Sequence, residues 1–134
     1  MQIALIVTLS LHVLSSVFWA GSSFTLARTG GAGGEQLFRP QMAAAVVAIL
    51  TGGYLGHLAH GGAFSTTEQV LAAGAFAAIV AAGVQGAVAG RAIGSLRGGT
   101  ADVAGVRSRI ALAQRIAAPL LAVTAVCMAA ARYV

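Results

Sequence analysis

Apolar residues fill four long stretches of this chain, and short segments rich in Gly, Arg and acidic residues separate them. The first stretch runs roughly from Ile3 to Leu26, the second from Met42 to His60, the third from Val70 to Gly90 and the fourth from Ile110 to Ala131. Each reaches the about 20 helical residues that a bilayer core requires. None alternates at period two, and backbone groups in lipid must be satisfied within their own segment, so all four are read as helices. The expected fold class is all-α, an integral membrane four-helix bundle forming a single transmembrane domain over residues 1–134.

The connections carry their own signals. Thr29-Gly30-Gly31-Ala32-Gly33-Gly34 reads as a flexible loop, and Pro40 suits the start of the second helix. Gly61 and Gly62 end that helix, and Ser65 with Glu68 forms a capping box ahead of the third. Gly98 and Gly99 break the chain before Asp102, a candidate N-cap for the fourth.

Composition supports lipid as the solvent. Hydrophobic residues make up 58% of the chain and charged residues 8%, against about 25% charged in a soluble domain. The net charge of +5 comes from arginine alone. Loop charge at a membrane face accounts for it better than nucleic-acid binding, so no nucleic-acid partner is expected. Arg28 and Arg39 flank the first loop, and Arg91, Arg97, Arg107 and Arg109 the third, whereas the second holds only Glu68. The positive-inside rule then puts the first and third loops in the cytoplasm and both termini on the periplasmic side of a bacterial inner membrane. The segment after Met1 lacks a charged leader and reads as a retained helix rather than a signal peptide. Cys127 is the single cysteine, so no disulfide can form within the chain.

Polar residues within the spans are the functional candidates. His12, Ser15, Ser16, Trp19 and Ser23 share one face of the first helix. They either form interhelical hydrogen bonds or line a site. Tyr54, His57 and His60 follow one another at intervals of three on the second helix. With antiparallel spans, all three histidines, Cys127 and Met128 fall in the same half of the bundle. These side-chain types bind metals and haem. The sharpest expectation is haem b between His12 and His57, with His60 as substitute, while Gly53 and Gly56 give the flat ring close backbone approach. The two ligands differ in depth by about 7 Å when each is counted from its own helix end. Copper held by His12, His57 or His60, Cys127 and Met128 is the alternative. Arg115, near the cytoplasmic end of the fourth helix, reads as a snorkelling side chain or as a partner for an anionic group such as a propionate.

The string from His12 to Gly21, with Trp19 between, resembles the H-x6-W-x-G opening of small bacterial inner-membrane proteins of the copper-resistance D type. More distantly it is similar to the HemJ-type protoporphyrinogen oxidases. Arg39-Pro40 followed by Thr51-Gly52 is similar to an R…TG pattern in the same groups. The resemblance implies a four-helix unit with a functional histidine in its first helix and, in the HemJ-type branch, a bound haem or porphyrin. It makes His12 the ligand and Trp19 and Gly21 its packing partners. HemJ-type proteins also use a lysine, and this chain has none.

The function expected is a small haem b-binding membrane protein acting in electron transfer or porphyrin handling. The rivals are a copper-handling protein and a cofactor-free structural or accessory subunit. The latter would pack as a homo-oligomer or within a larger complex through small-residue faces such as Gly52/Gly56 and Gly86/Gly90/Gly94.

Overall fold

The computed structural model describes every residue except His60, Gly61 and Ala63. The helices are α1 (Gln2–Arg28), α2 (Gly34–Ala59), α3 (Thr66–Val84), α4 (Gly90–Arg97) and α5 (Val103–Ala130). A π-turn at Gln85–Ala89 joins α3 to α4, so Thr66–Arg97 acts as one span. The result is an all-α four-helix bundle whose spans are all long and apolar enough to cross a membrane. The chain is a multi-pass membrane protein.

The spans run antiparallel. His12 and Ser23 of α1 meet Thr51 and Gln41 of α2, respectively, and Gly74 and Gln85 meet Thr124 and Gln114. Burial is inverted relative to a soluble protein. The core is mainly alanine, with Ala45, Ala48, Ala78, Ala81 and Ala117 around Trp19 and Leu121. Larger residues such as Leu14, Leu50, Phe76 and Val126 face outward. Small residues let helices approach closely, and lipid solvates the large ones as readily as a core would.

Two caps are as expected. The Ser65–Glu68 capping box is present, with Ser65 N–H donating to Glu68 at 2.6 Å. Asp102 accepts from Gly105 N–H at 3.3 Å.

Three local expectations are corrected. The second helix starts at Gly34, so Pro40 lies inside it. The early start follows from the glycine segment, which is a tight turn and not a flexible loop. Gly30, Gly31 and Gly33 adopt φ of +67°, +80° and +77°, values that favour glycine. A Cβ on Gly31 would strike the Arg107 carbonyl, so the turn packs directly against α5. Beside it Arg107 donates to Glu35 at 2.8 Å, tying the starts of α2 and α5 together. The third correction is the end of the third helix, expected at Gly90, which instead runs on through the π-turn to Arg97. Ala81, Gln85 and Ala89 are all buried at steps of four. In a regular helix each such step drifts by about 40°, and the wider turn absorbs that drift.

Contact between helices is uneven. At the arginine-rich end Phe38 of α2 packs on Gly90. Towards the α2–α3 connection, α2 and α3 separate, and a cavity occupies the gap.

Candidate functional site

A polar knot at the floor of the gap holds all four spans. Trp19 Nε1–H can only donate, and it donates to Gln85 Oε1 at 2.7 Å. That fixes the Gln85 amide, whose nitrogen donates to Ser23 Oγ at 2.8 Å and Gln114 Oε1 at 2.7 Å. The Gln114 nitrogen therefore donates onward, to Gln41 Oε1 at 2.9 Å. Gln41 ends the relay by donating to Ser22 Oγ at 3.0 Å and Ser23 Oγ at 3.2 Å. One indole N–H thus sets the direction of three buried amides. Gln41, Gln85 and Gln114 are at most 1% exposed. An unpaired amide so deep in an apolar interior would be strongly unfavourable, and here each finds partners.

Above the knot, His12 is held by α2. Its Nδ1 lies 2.9 Å from Ala48 O and 3.1 Å from Thr51 Oγ1. A carbonyl only accepts, so Nδ1 carries a proton. Thr51 directs its own hydroxyl to Val47 O at 2.6 Å, which leaves its oxygen free to accept from the same ring nitrogen. In the neutral ring Nε2 is then the bare nitrogen, the one a metal takes. Histidine ligands typically donate their other N–H to a carbonyl or carboxylate in this way. The ring rests on Gly52, where an added Cβ would come within 2.9 Å of His12 Cε1.

The cavity measures about 780 Å³ and its walls are mostly apolar. His12, Ser16 and Trp19 line it from α1, and Gly52, Gly53, Gly56 and His57 from α2. Ala78, Ile79 and Leu121 complete its deeper part, and Phe64, Glu68 and Met128 surround its mouth. Seven of the expected site residues, His12, Trp19, Ser16, Gly53, Gly56, His57 and Met128, therefore share one space. His57 sits about 9 Å farther along α2 than Thr51, so the two histidines face the cavity at different heights.

Other candidates lie elsewhere. Tyr54 is exposed, outside the cavity lining. Cys127 packs against Gly74 of α3, while its neighbour Met128 lines the mouth. Arg115 is exposed and outside the lining. His60 lies outside the described residues. Among the described residues no group of three or more His, Cys, Asp or Glu side chains is placed to hold a metal ion. The glutamine relay was not anticipated. Gln85 and Gln114 within apolar stretches, and Gln41 just before one, were its one signal in the sequence.

Comparison with protein-family models, curated proteins and solved structures finds no match to this chain. Its chemistry is therefore read from the cavity.

Proposed function

We propose that this protein binds a haem b-type tetrapyrrole in the cavity between α2 and α3, with His12 as the principal ligand and His57 as the second. The observation that carries this reading is the His12–Ala48 hydrogen bond, which leaves Nε2 as the coordinating nitrogen in an otherwise apolar space. The lining fits the group at His12. His57, about 9 Å farther along α2 than Thr51, would reach the same group only with its ring directed along the helix toward His12. A volume of about 780 Å³ falls within the roughly 300–1,000 Å³ typical of cofactor sites. Gly52, Gly53 and Gly56 present backbone where side chains would obstruct a flat ring. When bound, haem iron with two imidazole ligands supplies one-electron transfer. The chain fixes the His12 ring through α2, keeps water away with apolar walls and holds Trp19 at the floor through Gln85. The resemblance of the first helix to the copper-resistance D and HemJ-type proteins agrees with a ligand at His12. In the same reading the arginine-rich end faces the cytoplasm of a bacterium and the cavity mouth faces the periplasm.

A haemin titration tests this. Trp19 is the only tryptophan, so haem in the cavity should quench its emission by energy transfer. Saturable quenching is expected in the wild type, with much weaker binding in His12→Ala and His57→Ala. Equal affinity in all three proteins would sink the ligand assignment.

A second reading, a cofactor-free subunit packed against another copy or a larger membrane complex, is favoured by Gly83 and Gly86. Both are exposed, and an added Cβ at either would meet nothing within 4 Å.

A further inference from the structure

The cavity that holds His12 is open sideways as well as at its mouth. Gly53 of α2 and Ala72, Ala75 and Ile79 of α3 line it and are exposed. An added Cβ at Gly53 would meet nothing within 4 Å, and α2 and α3 touch sparsely along this edge. These positions are within spans apolar enough to sit in lipid. Whatever fills the gap therefore meets acyl chains directly.

The dimensions narrow the occupant. From Ala48 to Ala59 the lining runs about 17 Å along α2, close to half of a hydrocarbon core about 30 Å thick. The space is an elongated wedge one leaflet deep. Its apolar walls offer water too few hydrogen-bond partners to hold it. A void of this size left empty would forfeit the dispersion contacts that a packed interior keeps. An extended aliphatic chain, standing parallel to its neighbours in the leaflet, fits the length, the polarity and the lateral opening together.

We infer that, in the cofactor-free protein, a phospholipid acyl chain enters between α2 and α3 and occupies this wedge down to Trp19. An apolar ligand then reaches His12 from the bilayer by exchanging with that chain. The inference stands whether or not the eventual ligand is a tetrapyrrole. It concerns the resting occupant and the route.

Trp19 reports on it directly. The residue is 3% exposed, so lipid outside the bundle does not touch it, and its indole lies at the deep end of the wedge. The cofactor-free protein is reconstituted into vesicles of phosphatidylcholine, either unmodified or brominated near the methyl end of one acyl chain. A large loss of Trp19 emission is expected in the brominated vesicles, with little quenching by aqueous acrylamide. Filling the opening with Ala75→Phe together with Gly53→Phe should restore the emission. Quenching by acrylamide but not by bromolipid would overturn the inference in favour of a water-filled cavity. Quenching by neither would overturn it in favour of a closed gap. Bromolipid quenching unchanged in the filled variant would overturn the route between α2 and α3.

Discussion

Gln85→Met removes the amide at the centre of the relay while nearly keeping its shape. Three hydrogen bonds disappear, from Trp19, to Ser23 and to Gln114. Interhelical hydrogen bonds in membrane proteins average about 0.6 kcal/mol each, which gives roughly 2 kcal/mol for the three. The stranded Trp19 N–H, buried with no water to accept from it, adds about 1–3 kcal/mol. The expected loss is therefore roughly 3–5 kcal/mol. Reversible unfolding in mixed micelles, followed by helical circular dichroism, measures it. A double-mutant cycle with Trp19→Phe isolates the direct contact, and its coupling should lie at about 0.6–1.7 kcal/mol. Gln41→Met removes a member farther along the relay and should destabilise less than Gln85→Met, because Gln41 does not hold the indole. If Gln85→Met shifted stability by less than about 0.5 kcal/mol, within the range of an ordinary surface change, the relay would not be what fastens the four spans.

Gly52→Ala places a methyl 2.9 Å from the His12 ring. It should destabilise the fold by about 1–3 kcal/mol through overpacking, and haemin titration should show weakened binding. Gly86→Leu should leave the monomer intact, since nothing lies within 4 Å of its added Cβ, and size-exclusion chromatography with light scattering will detect any oligomer it disperses. Gly90→Leu is different, because its Cβ would lie 3.3 Å from Phe38 within the same chain, so it should lower thermal stability even in a monomer. Glu35→Gln removes the negative charge of the Arg107 ion pair while keeping an oxygen that can accept. Its effect on the melting temperature should be small and shrink in high salt, because both side chains are partly solvated.

The four spans were legible because apolar length is a direct consequence of lipid solvation, and no tertiary detail is needed to read it. The histidines were legible for a related reason: few polar side chains tolerate that environment, so His12 and His57 stood out singly. Their place in the same half of the bundle followed from antiparallel order and a count of residues along each helix; the cavity they share did not. The π-turn was not legible, since it answers to a buried stripe at Ala81, Gln85 and Ala89 that exists only once α3 meets α5. The glutamine relay was missed for the same reason. Gln41, Gln85 and Gln114 are far apart in the chain, and each alone resembles a helix-end polar residue. Tyr54 lies outside the cavity lining because a spacing of three keeps residues only roughly on one face. Pro40 misled because its preference for a helix start competes with a glycine turn that begins the helix earlier.

The most direct test of the His12 site is the absorption spectrum of the purified, haem-reconstituted protein before and after reduction with dithionite, with metal analysis on the same sample. Haem held between His12 and His57 predicts a Soret band with sharp α and β bands on reduction, and their loss in His12→Ala. A protein that remains colourless after reconstitution, or one whose spectrum is unchanged by His12→Ala, contradicts it.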